Sequence, residues 1–258
     1  MTTSATEAAR TIAVYIDLEN VAIGVREAKL GKLEIDRVFR RLLDKGNLVV
    51  RRAYANWESF SEYRRPLHEA GVELYELPGS KLSGKNSADI RLVVDALELA
   101  HTKHHIDAFA LVTGDSDFQP LVAKLRENNK YTIGIGVKKS TSKLLVDACD
   151  EFIYYDDLVT VSSKRPVISR DTLSKRTKEA FELLIDAAEA LQRENKELHS
   201  SLVKDTMKRK QPQFNEEYYG YRSFNRLLED AAERKIIEIR RDERSGTYVI
   251  ADILEETG

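Results

Sequence analysis

Ala108-Phe-Ala-Leu-Val-Thr-Gly-Asp-Ser-Asp-Phe118 is the stretch on which the reading of this chain turns. Five mostly apolar residues run into Thr113-Gly114, and two carboxylates follow at Asp115 and Asp117. A helical spacing then begins, with Phe118, Leu121, Val122 and Leu125 at i, i+3, i+4 and i+7. The pattern predicts a buried strand, a tight turn and a helix, with Asp115 at the carboxyl end of the strand. Open parallel sheets bind their ligands at that edge. A second acidic strand end is Thr11-Ile-Ala-Val-Tyr-Ile-Asp17, with Glu19 and Asn20 just beyond it. A third acid, Asp89, opens a helix after Ser80-Lys-Leu-Ser-Gly-Lys-Asn-Ser87. If one sheet gathers these ends, the carboxylates cluster without a built-in counter-charge, which favours a divalent metal.

Around these pieces, strands alternate with helical patterns up to about Leu158. Strands are expected at Thr11–Ile16, Leu48–Ala55, Val72–Leu77, Ala108–Thr113, Thr132–Val137 and Phe152–Tyr154. One helix carries Ile35, Val38, Phe39 and Leu42 on one face, another follows Phe60, and a third carries Ile90, Val93, Val94 and Leu97. Such alternation predicts an α/β fold with a parallel sheet covered on both faces. Residues 159–170, including Ser162-Ser-Lys-Arg-Pro166, read as a linker. Beyond it, a long helix from near Asp171 presents Phe181, Leu184, Ile185 and Ala188. A short helix covers about Ser201–Lys210, and a third runs from about Tyr221 to Lys235. Alternating runs at Ile236–Arg240 and Thr247–Ile250, joined by a turn, complete a winged-helix pattern within residues 171–252.

Composition narrows the functional classes. The 258 residues carry 41 Lys+Arg against 43 Asp+Glu, a formal charge of −2, so bulk charge points to no polyanionic partner. Nucleic-acid binding has to rest on local basic patches. From Ser163 onward the balance is even, 19 against 19. The single Cys149 excludes an internal disulfide framework and a Cys-rich zinc site, and its apolar setting suits a small buried hydrophobe. No apolar run is long enough to span a bilayer, and residues 1–10 lack a signal-peptide core. A cytoplasmic setting without membrane contact is therefore expected.

The strand ends hold carboxylates, and neither GxGxxG nor GxxxxGK[ST] is present. Hard divalent cations are held by one or two carboxylates together with waters and substrate phosphates. Two such ions about 4 Å apart can activate water and stabilise a leaving oxygen in phosphodiester displacement. Asp17 would leave a costly buried charge unless it served a site, although a turn role is the alternative. Asn20 suits either the site or its own loop. Asp117 and Ser116 each fit the site or a helix cap, with Pro120 tolerated in the first turn. At about 100° per residue, Asp89 borders the apolar face centred near Val93 and Leu97, while Asp95 points nearly opposite, about 9 Å away along the axis. Asp89 is the better ligand, and Asp95 reads as a solvated or hydrogen-bonded residue. Lys81 and Lys85 before Asp89, and Lys138, Lys139 and Lys143 after the fifth strand, offer a phosphate track whose alternative is an ordinary solvated loop.

Four pieces of residues 11–158 resemble the NYN domain of the LabA-like group, a branch of the PIN-like nucleases. They are Tyr15-Ile-Asp-Leu-Glu-Asn20, Lys85-Asn-Ser-Ala-Asp89 with Asp95, Thr113-Gly-Asp-Ser-Asp-Phe118 and Ala148-Cys-Asp-Glu-Phe-Ile-Tyr154. The resemblance implies metal-dependent RNA cleavage, with Mg2+ or Mn2+ at Asp17, Asp89, Asp115 and Asp117 and with help from Asn20. Farther on, Leu202-Val-Lys-Asp-Thr-Met-Lys-Arg-Lys-Gln-Pro-Gln-Phe214 and Tyr218-Tyr-Gly-Tyr-Arg-Ser-Phe-Asn-Arg-Leu-Leu228 resemble an OST-HTH (LOTUS) domain. That resemblance implies a winged helix that binds RNA or a protein partner. In this second unit Lys208, Arg209 and Lys210 form a basic corner, and Arg222 and Arg226 share a helix face at i, i+4. Tyr221 is placed either to stack on a base or to pack the core.

The expected function is an endoribonuclease with an RNA-binding adaptor. A non-catalytic RNA-binding regulator of the same fold is the first alternative. A HAD-like phosphatase fits less well, because the first strand ends in Asp17-Leu-Glu19 instead of Asp-x-Asp.

Overall fold

The computed structural model describes residues 9–76, 87–160, 173–243 and 246–254. The chain divides into two compact units, the main break falling between Ser162 and Ser163.

The first unit is a six-stranded, wholly parallel sheet. Its strands are β1 (Arg10–Asp17), β2 (Gly46–Ala55), β3 (Glu73–Glu76), β4 (Ala108–Val112), β5 (Tyr131–Gly136) and β6 (Glu151–Tyr154). Their order is β3-β2-β1-β4-β5-β6, so the direction of winding reverses between β1 and β4. β1 is central and reads as a continuous apolar run because both of its faces are covered. Ile12, Val14 and Ile16 pack on one face with α1 (Leu18–Glu27), α2 (Ile35–Lys45), α3 (Arg64–Glu69) and α7 (Tyr155–Thr160). Ala13 and Tyr15 face α4 (Ser87–Thr102), α5 (Gln119–Glu127) and α6 (Lys143–Ala148) on the other. This is the two-residue alternation of a strand.

All six expected strands are present, with ends shifted by one or two residues; Leu77 lies outside the described residues. Two helices, α1 and α2, fill the β1–β2 crossover where one was expected. Val159 and Thr160 belong to α7, not to a linker. The helical phase of α4 also needs correction. Its buried side is Leu92, Asp95, Ala96, Leu99 and Ala100, whereas Ile90 and Val94 are 62% and 53% exposed. Apolar spacing alone misled here because a charged residue, Asp95, takes a core position.

Among its described residues the second unit has three helices, α8 (Lys175–Arg193), α9 (Ser200–Lys210) and α10 (Phe224–Glu233), followed by an antiparallel pair, β7 (Ile237–Arg241) and β8 (Tyr248–Ile253). Phe181, Leu184, Met207, Phe214, Tyr219, Phe224, Leu227 and Ile250 share one core. α8 begins at the Ser174 cap, and Asp171 is outside the described residues. α10 begins after Ser223, whose Oγ accepts the Arg226 N–H. Arg222 therefore precedes the helix, and the expected shared face with Arg226 does not exist.

Candidate functional site

In a sheet of this order, ligands bind outside the strand ends at the reversal between the two halves. Asp17 ends β1 and Asp115 follows β4, so the two acids flank that point from neighbouring strands. The backbone turns that present them are tightly held. Asp17 caps α1, accepting the Asn20 N–H on Oδ1 at 3.3 Å and the Thr113 hydroxyl on Oδ2 at 3.0 Å. Thr113 Oγ1 in turn accepts the Asp115 N–H at 3.2 Å, so one buried hydroxyl links the two acidic turns. Asn20 Oδ1 accepts the Gly114 N–H at 2.8 Å, a second tie between the same turns. Gly114 has no room for a side chain: a Cβ there would lie 2.9 Å from both Ser140 O and Thr141 Oγ1.

Asp115 Oδ1 accepts the Asp117 N–H at 2.9 Å, so Asp115 is the cap of a single 3-10 turn at Ser116–Phe118. The capping role that the sequence left open for Asp117 or Ser116 thus falls to Asp115. Pro120 sits in the first turn of α5, as expected. Asp117 is exposed, and Ser116 is partly exposed beside it. From above, the first turn of α4 brings in a half-buried Asp89.

The electrostatics of this edge are one-sided. Burial, joined by the neighbouring carboxylates of Asp89 and Asp115, pushes the Asp17 carboxyl up from 3.8 to about 7, against the hydrogen bonds from Asn20 and Thr113. Burial also raises the Asp89 carboxyl, reinforced by the nearby charges of Asp115, Asp117 and Glu19. Acids from three separate elements therefore feel one another, and no cation offsets them among the described residues. Glu19, to which the sequence reading gives no role, belongs to this field. Its Oε1 accepts the Asn56 N–H at 2.7 Å, and its place two residues after Asp17 was the available signal. Among the described residues, no three His, Cys, Asp or Glu side chains close into a ready-made cage. The donor set is all oxygen and lacks a counter-charge among the described residues, so its chemistry fits a hard divalent ion that completes its shell with water or phosphate oxygens.

Asp95 does not belong to the cluster, and it is not solvated either. It is 5% exposed, accepts the Tyr54 hydroxyl on Oδ2 at 2.8 Å, and pairs with Arg91 Nε at 2.9 Å. Cys149 is half-buried, and burial pushes its thiol up to about 12, an inert setting.

The expected phosphate contacts divide. Lys81 and Lys85 lie outside the described residues. Lys139 and Lys143 are exposed, while Lys138 is engaged by Asp157 at 2.7 Å. In the second unit Lys208 is exposed, Arg209 donates to Thr206 Oγ1 at 3.2 Å, and Lys210 pairs with Asp186 at 2.9 Å. Tyr221 is committed to the core: its hydroxyl donates to Asp230 at 2.6 Å and its ring meets Phe181. Arg222 is exposed, and Arg226 is exposed with Glu229 at 2.7 Å. The basic corner is thus thinner than the sequence suggested.

A six-stranded parallel sheet flanked by helices, with acids at its winding reversal, is an architecture of the PIN-like α/β class. Residues 11–158 match the NYN domain, more than half of the chain, and the chain belongs to that family. NYN domains are members of the PIN-like nuclease superfamily, whose nucleases typically use divalent metals. An uncharacterized protein of Methanocaldococcus jannaschii is 28% identical over 170 residues, covering 66% of this chain and 62% of that protein. This chain thus spans less than two thirds of that relative's length. A crystal structure of a protein of unknown function from Vibrio parahaemolyticus superposes with a TM-score of 0.52 at 27% identity, over 60% of this chain and 98% of that one. Among the described residues, no helix is long and apolar enough to cross a membrane.

Proposed function

We propose that the chain is a metal-dependent endoribonuclease. The observation that carries this reading is the convergence of Asp17, Asp89 and Asp115 from β1, α4 and the turn after β4 on one edge where no cation stands among the described residues. Asp17, Asp89 and Asp115 would hold Mg2+ or Mn2+, which when bound would supply an activated water and offset the charge of the scissile phosphate. Exposed Asp117 would bind or orient a second metal or its water. Asn20 and Thr113 act as positioning residues, since their side chains meet the neighbouring turns.

The second unit supports an adaptor role. Three helices followed by an antiparallel pair, with a further bridge from His199 to Val249, suit a winged helix of the OST-HTH kind. Exposed Lys208 and Arg222 are its remaining candidates for RNA contact.

The test is incubation of the purified protein with labelled single-stranded RNA and DNA, in Mn2+ and in chelator. Cleavage of RNA that needs the metal supports the proposal. Binding without turnover in any divalent metal would favour the non-catalytic regulator.

A further inference from the structure

The site leaves one charged group unexplained. Arg91 lies two residues after Asp89 on α4, and its side chain is 57% exposed. Exposed i, i+4 ion pairs on helices are ordinarily weak, mobile contacts. This one differs because its acid is buried. Asp95 is fixed by the Tyr54 hydroxyl at 2.8 Å, and the Tyr15 hydroxyl donates to the Asp95 backbone carbonyl at 3.1 Å. The guanidinium is also laid over the Tyr75 ring, 5.8 Å from its centroid, and Tyr75 stacks on Tyr54 at 5.1 Å. Among the described residues only Nε is used, by Asp95 at 2.9 Å. Both terminal NH2 groups are without a hydrogen-bond partner among the described residues.

The place of this group matters. Asp17 is the register partner of Tyr54, and Tyr54 of Tyr75, so Tyr75 stands level with the acidic edge two strands away, about 10 Å along the sheet. A guanidinium is planar and presents paired donors suited to phosphate oxygens. Anchoring it from behind removes the rotamer freedom that ordinarily weakens a surface arginine.

We propose that Arg91 is a phosphate clamp, held by Asp95 and Tyr75, that grips the backbone of a single-stranded nucleic acid at a phosphate flanking the scissile one. It rests on the nuclease reading for the location of the scissile phosphate. Asp95 is the positioning residue of the clamp, which accounts for a carboxylate kept in the core without a place in the acidic cluster.

The test measures binding of a short unstructured RNA, and of DNA of the same sequence, by fluorescence anisotropy in chelator across a salt series. It uses the full chain, and also a background carrying Arg222→Ala and Arg226→Ala so that the second unit cannot mask the effect. Arg91→Ala is expected to weaken both polymers about tenfold. It should also make the salt slope shallower by about 0.7, the value of one single-strand phosphate contact. Arg91→Lys should recover the slope but not the full affinity, because the fork is lost. Arg65→Ala, which removes a more exposed arginine, paired with Glu69 on α3, should change neither. Wild-type affinity and slope in Arg91→Ala would overturn the clamp, as would a loss confined to RNA, which would signify a sugar contact. Cleavage by the unsubstituted protein in Mn2+ is scored separately. An Arg91-dependent binder that never cleaves removes the nuclease reading and keeps the clamp.

Discussion

Two positions on α4 carry acids in opposite circumstances. At Asp89 burial and the neighbouring Asp115, Asp117 and Glu19 carboxylates raise its own carboxyl, with no cation among the described residues to offset them. At Asp95, six residues on, the carboxylate is more deeply buried, yet both oxygens are engaged, one by Tyr54 and one by Arg91. The difference separates a structural acid from a working one. Burial by itself does not mark a site; burial without compensation does.

The sharpest way to break this comparison is at the acidic cluster. Asp115→Asn removes a ligand charge at nearly constant size, so cleavage should fall by about 10³-fold while the fold survives. Undiminished turnover, or wild-type turnover in chelator, would remove the metal-dependent reading. The compensated acid should fail differently. Asp95→Ala leaves the buried Tyr54 hydroxyl without its acceptor, and denaturant unfolding should show a loss of about 3 kcal/mol. A variant as stable as the parent would show that the tyrosine face does not depend on its acid.

Asp17 sharpens the contrast through pH. Its folded value of about 7 lies above its ordinary 3.8, so the metal-free native state binds this proton more tightly than the unfolded chain. The resulting penalty is absent below about pH 4, grows between pH 4 and 7, and is complete above that. Asp17→Asn should therefore nearly match the parent at pH 4 and exceed it by about 4 kcal/mol at pH 8 in thermal melts of metal-free protein. An equal gap at both pH values would show that its charge is already compensated. The smallest expected effect belongs to Thr113→Val, which removes the hydroxyl shared between the turns. It should cost about 1 kcal/mol of stability and about tenfold in cleavage, with the metal requirement unchanged.

Much of the first unit was legible from order and spacing. Apolar runs of five or six residues ending in Asp17 and Thr113-Gly114-Asp115 define strands buried on both faces, and their alternation with helices requires parallel connections. The α10 boundary was not legible, since Ser223 as a cap outweighed the helical look of Tyr221 and Arg222. The phase of α4 was not legible either, because periodicity counts apolar residues and cannot anticipate a buried carboxylate.

The sequence by itself determined the sheet, its acidic strand ends and the candidate identities of Asp17, Asp89 and Asp115, because strand burial and chain direction are local properties of residue pattern. Only the tertiary structure decided which acids share a field and which are compensated. Asp95 acquires its partners from Tyr54, 41 residues away, and from a helix face set by packing. Asn20 and Thr113 acquire theirs across 94 and 96 residues of chain. Hydrogen bonds over such separations exist only once the sheet has brought β1 and β4 side by side.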